Sequence, residues 1–156
     1  MRIVLAGPRR EQSQGEEIAN SISHGIGLVA ALVGAPFLIM HAARHGDAGF
    51  IVGTTVFSAT AILLYLSSTL YHALPVGKAK RVFRVIEHSA IFLLIAGTYT
   101  PFTLVSLRGA LGWTMFAFVW TAALHGIWRA WRPRSRLARE APRRPLPRRR
   151  PPSGSP

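Results

Sequence analysis

Four stretches of this chain contain no aspartate, glutamate, lysine or arginine: residues 18–43, 50–71, 89–107 and 109–128. An uncharged run of about 18 or more residues suits the hydrocarbon core of a bilayer better than a soluble interior. The pattern predicts membrane-spanning helices at 21–43, 50–71, 85–106 and 111–129. Breakers stand where the runs stop: His45-Gly46-Asp47, Pro75-Val76-Gly77 and Arg108-Gly109. The expected fold is therefore an all-α integral membrane protein. A four-helix membrane domain at 17–130 lies between a short arm at 1–16 and a tail at 131–156. Within the spans, small residues such as Gly25, Gly27, Ala30, Ala31 and Gly34 permit close helix approach. Pro36 and Pro101 each remove a helical hydrogen bond and are expected to kink their helices.

Charge adds direction to this outline. The net charge is +13, and the ten arginines and one glutamate from Arg129 onward contribute nine of it. That tail is rich in arginine and proline, has too few apolar residues for a core, and is expected to be disordered. Basic residues gather in the N-terminal arm (Arg2, Arg9, Arg10), the middle loop (Lys78, Lys80, Arg81, Arg84) and the tail; the other two loops hold Arg44 and Arg108, one apiece. Four spans place the three basic segments on one side, so both termini and the middle loop are expected in the cytoplasm, with the chain in the plasma (inner) membrane. The opening MRIVLAGP is too short an apolar run for a cleaved signal, which leaves the first span to act as its own insertion signal. The tail's charge suits anionic lipid headgroups, and no folded module points to specific nucleic-acid binding. With no cysteine in the chain, zinc could be held only by histidines and carboxylates.

The exceptions to apolarity are the candidate site. Glu17, Asn20 and His24 follow one another by three and four residues and so share a helical face. Ser68 and His72 are four apart near the end of the second span, and Glu87 and His88 open the third. His125 lies near the end of the fourth. With the orientation above, these groups converge from four helices in the cytoplasmic half of the bundle. An ionisable side chain at the centre of a membrane helix costs about 2.5–3.5 kcal/mol, less near its ends, which favours a shared site or pairing. Pairing of Glu87 with Arg84 or Arg81 is the simpler alternative. His41 and His45 have a spacing that could hold a metal, but beside Arg44 and Gly46 they read as an outer helix terminus.

Three segments carry a family resemblance: EEIANSISHGIG (16–27), SSTLYHAL (67–74) and EHSAIFLLIAGTYTPF (87–102). In order and spacing they resemble the successive signatures of bacterial hemolysin III proteins, which group with the progestin and adipoQ receptors and, more distantly, the alkaline ceramidases. GWTMFAFVWTAALHGI (112–127) resembles the family's fourth span, so the resemblance covers roughly residues 14 to 130. It implies a seven-helix bundle with a cytoplasmic N-terminus, of which this chain would hold the first four helices. In members with a metal site, it implies zinc held by the histidine of the S-x-x-x-H pair and by two late histidines, with an aspartate positioning a zinc-bound water.

Transferred to this chain, the resemblance makes His72 the metal ligand. Ser68 and Glu87 become the catalytic pair, with Glu87 standing where the family has aspartate. Glu17, Asn20, His24 and His88 form a supporting polar face. The late H-x-x-x-H is absent, so zinc binding is expected to be weak, and enzymatic activity of this chain is not expected. The Arg/Pro-rich tail in place of helices five to seven fits a truncated or frameshifted product, with a genuine short form as the other reading. The implied function is a hemolysin III-like membrane protein, cytolytic or membrane-perturbing, associated with the bilayer and capable of self-association. The alternatives are a zinc-dependent, ceramidase-like hydrolase of a membrane-lipid amide, and an inactive fragment.

Overall fold

The computed structural model describes residues 12–132; residues 1–11 and 133–156, most of the arm and of the tail, lie outside it. Within that range the chain is four long helices: α1 (Gln14–His45), α2 (Ala48–Ala73), α3 (Lys78–Pro101) and α4 (Gly109–Trp131). Each is long and apolar enough to cross a membrane. The chain is an all-α membrane protein.

The helix ends follow from local chemistry. Ser13 and Glu16 form a reciprocal capping box: the Ser13 amide donates to Glu16 Oε2 at 2.7 Å, and the Glu16 amide donates to Ser13 Oγ at 3.3 Å. This cap starts α1 at Gln14, so the helix extends seven residues beyond the predicted span start at 21. Asp47 accepts from the Phe50 amide at 3.0 Å and caps α2. Its other oxygen takes a 2.6 Å bond from Arg108, which ties the first and third loops together.

The third helix begins at Lys78, again seven residues before the expected span at 85. The two prolines behave differently. Pro36 sits inside the uninterrupted α1. After Pro101 the backbone changes register into a π turn over Phe102–Ser106, closed by the Leu107 amide bonding to the Phe102 carbonyl at 3.2 Å.

The helices pack in series: α1 against α2, α2 against α3, and α3 against α4, while α1 and α4 do not meet. The interior of this array is small and hydroxylic. Gly53, Thr54, Ser58, Thr60 and Ser68 of α2 are buried, as are Ala90, Ala96, Gly97 and Thr100 of α3. Large apolar side chains such as Ile22, Ile26, Val29, Phe37 and Phe118 point outward, as a lipid-facing surface requires. The close approach of α2 and α3 has a visible cause, since Gly97 lies against Thr60 and Gly53 against Pro101, with no room for a Cβ at either glycine. The series brings the start of α1, the end of α2 and the start of α3 to one end of the bundle.

Candidate functional site

A connected polar cluster occupies that end. Its first link joins α2 to α3: Ser68, fully buried, donates its hydroxyl to Glu87 Oε1 at 2.6 Å. The second joins α2 to α1, because His72 Nδ1 lies 2.7 Å from Glu17 Oε2. A carboxylate accepts, so this contact places the proton on Nδ1 and turns Nε2 inward. There Nε2 stands 3.8 Å from Glu87 Oε1, too long for a hydrogen bond. The third link joins α1 to α3, through Lys80 Nζ at 2.9 Å from Glu17 Oε1.

Lys80 is buried and held from three sides. Besides Glu17 it bonds the Leu74 carbonyl at the end of α2 at 3.2 Å, and its ammonium lies 5.1 Å from the centre of the Tyr71 ring. Opposite charges joined inside a bundle offset part of the cost of leaving water. Tyr71 also packs its ring 4.8 Å from that of His72.

His24 packs edge-on against His72, with ring centroids 5.9 Å apart, and against Tyr65 at 6.0 Å. Its Nδ1 is buried without a hydrogen-bond partner among the described residues. Asn20 is half-buried on the same face of α1, and its backbone carbonyl accepts from Ser23 Oγ at 3.0 Å.

The convergence expected from four helices is in fact made by three. His88 is exposed and turned to its own helix, its Nδ1 donating to the Arg84 carbonyl at 2.7 Å. It stands one residue after Glu87, and a step of about 100° along a helix takes it off the buried face. His125 is likewise exposed and touches the Trp128 ring, not the cluster. Glu87 turns to Ser68 and His72, not to Arg81 or Arg84, which are both exposed. At the far end, the His41 and His45 rings stack 4.6 Å apart, and His45 Nδ1 contacts the His41 carbonyl at 3.2 Å.

Lys80, Tyr65 and Tyr71 belong to the site although residue pattern alone did not select them. For Lys80 a signal existed: it precedes Glu87 by seven residues, two turns of one helix face. Its place in a basic loop concealed it.

Zinc, which the family resemblance implies, takes about three protein ligands plus an open position. Here Glu17 occupies His72 Nδ1, Nε2 faces a carboxylate already bonded to Ser68, and His24 offers its ring edge-on. Among the described residues no group of three or more histidine, aspartate or glutamate side chains is placed to hold a metal ion. These residues do not by themselves fit a zinc centre.

Comparison with known proteins supplies the remaining context. The family described as Haemolysin-III related matches this chain over residues 12–146. A protein named hemolysin-3 from Bacillus cereus is 50% identical over 119 residues, covering 76% of this chain and 54% of that protein. A hemolysin-3 homolog from Bacillus subtilis is 52% identical over 112 residues, covering 72% of this chain and 53% of the homolog. The chain thus spans about half the length of these curated relatives. No solved structure matches it.

Proposed function

The chain belongs to the haemolysin-III-related family, and from that premise we propose that it is a cytolytic, membrane-perturbing protein whose buried polar cluster is its working part. The observation that carries this reading is the linkage of Glu17, Lys80, His72, Glu87 and Ser68 across three apolar helices. Such groups are costly in hydrocarbon, and concentrated at one end of a bundle they favour water entry at that depth. The relatives' name, hemolysin-3, supports the same direction.

In this reading the basic end of the bundle faces the cytoplasm and the chain resides in the plasma membrane, as the positive-inside rule favours. The arginine-rich tail, which lies outside the described residues, engages anionic headgroups, and self-association brings several clusters together. Dye release from liposomes tests this proposal: full-length protein reconstituted at rising density is expected to release trapped calcein in proportion to its density. Tight vesicles at every density would contradict it.

A second reading, a zinc-dependent hydrolase of a membrane-lipid amide, is favoured by one contact. His72 Nε2 faces Glu87 beside the Ser68 hydroxyl, as a ligand beside a water-positioning group would. It requires metal donors beyond the described residues, and zinc binding by this chain is expected to be weak. Turnover of a ceramide-type amide that disappears in His72→Ala would establish it. Tight vesicles together with no turnover would leave a chain whose property is membrane insertion.

A further inference from the structure

The outward face of α3 changes character along its length. Arg81, Arg84, His88, Phe92, Ile95 and Tyr99 are spaced three or four residues apart and form one stripe, which runs beside the face that carries Glu87 and Lys80. The stripe is basic where α3 begins and apolar further in. Its apolar part forms one wall of a cleft of about 320 Å³ between α3 and α4, with Met115, Phe118 and Ala122 on the other wall. The cleft is lined almost wholly by carbon, and its volume is in the range of ligand pockets.

The fourth helix repeats the arrangement. Phe118, Ala122, His125 and Arg129 lie on one stripe of α4 by the same spacing rule, again apolar first and basic at the end. Cross-helix contacts set the level. Phe92 lies against Gly126, and Trp131 Nε1 donates to Ser89 Oγ at 3.0 Å. His125 therefore stands level with Phe92, and Arg129 stands between Ser89 and Phe92, a turn from His88.

Five exposed basic side chains, three on α3 and two on α4, thus continue these stripes toward the basic end of the bundle, beyond the apolar lining of the cleft. Arg81, Arg84 and Arg129 form no ion pair among the described residues. His88 has Glu87 Oε2 3.9 Å from its Nδ1.

We propose that the α3–α4 cleft binds one anionic phospholipid from the leaflet at the basic end, with an acyl chain against Phe92, Ile95 and Phe118 and the phosphate held by Arg84, Arg129 and their neighbours. Charge complementarity selects this occupant. Guanidinium groups pair with phosphate through two parallel hydrogen bonds, and long basic side chains reach headgroup level while their stems cover apolar surface. A zwitterionic lipid would bring a choline or ethanolamine cation beside the same basic side chains. The site adjoins the Glu17–His72–Glu87 cluster at one point, where His88 approaches Glu87, and otherwise uses α3 and α4 only.

Native mass spectrometry of the full chain in detergent tests this, with phosphatidylglycerol and phosphatidylcholine of identical acyl chains, and oleate, as the added lipids. The wild type is expected to retain one phosphatidylglycerol in preference to phosphatidylcholine. Arg84→Gln and Arg129→Gln should each weaken that first binding event by about fivefold. Ala122→Phe, which fills the cleft without altering charge, should abolish it. R148Q/R149Q/R150Q, which removes more charge from the tail, should leave it in place. Equal retention of the two phospholipids, displacement by equimolar oleate, or a loss as large in the tail variant as in Arg84→Gln would each overturn the assignment.

Discussion

Lys80 shows how a charge is carried into an apolar bundle. Its ammonium meets the Glu17 carboxylate, the Leu74 carbonyl and the Tyr71 ring at once. Removing it strands Glu17 among low-dielectric neighbours. Because Glu17 keeps some solvent access, Lys80→Met is expected to cost about 2–3 kcal/mol, below the range of fully buried pairs. Two residues away, exposed Lys78→Gln should change stability by no more than about 0.5 kcal/mol. Unfolding of both variants in matched detergent checks the pair, and equal effects would place Lys80 outside the cluster. Ser68 makes a different contribution, as a neutral donor to a buried carboxylate. Ser68→Ala is expected to destabilise the protein by about 1.5–3 kcal/mol, since the lost bond is to a charged group. The same variant in a Glu87→Gln background should cost measurably less, because the acceptor is then neutral.

At the scale of the helices, their positions were legible in the sequence because a bilayer imposes a length, and an uncharged run of that length is rarely anything but a span. The additional turns of α1 and α3 were not: they run past the uncharged segments, where hydropathy falls silent and caps such as Ser13–Glu16 decide. The polar site was legible in part. Ser68, His72, Glu87 and Glu17 are brought together, since spacing fixed the face and the alternating direction of successive helices fixed the level. His88 and His125 were misplaced because depth alone does not specify a face, and Lys80 was hidden by its membership of a basic loop. Helix proximity depends on a further detail, the absence of side chains at particular points. Gly97→Ala should push α3 off Thr60 and cost about 1–3 kcal/mol. Adding Thr60→Ala should recover part of that loss, because the most obstructing atom is the Thr60 hydroxyl. Thermal unfolding of the single and double variants reads this directly, and simple additivity would refute the contact.

Across the whole molecule, the helices form an open series whose outer members, α1 and α4, present large apolar faces, while the linked ionisable groups stay at one end of the inner seam. The two surfaces have separate assignments. The inner cluster belongs to the proposed perturbation of membranes, and the α3–α4 cleft to lipid recognition. Calcein release at one fixed protein-to-lipid ratio, compared among the wild type, Glu17→Gln, His72→Ala and exposed Lys78→Gln, tests the role of the cluster most directly. The expected result is release by the wild type and by Lys78→Gln, with a fall of severalfold in Glu17→Gln and His72→Ala at equal incorporation. Equal release by all four proteins would contradict a working role for the buried cluster.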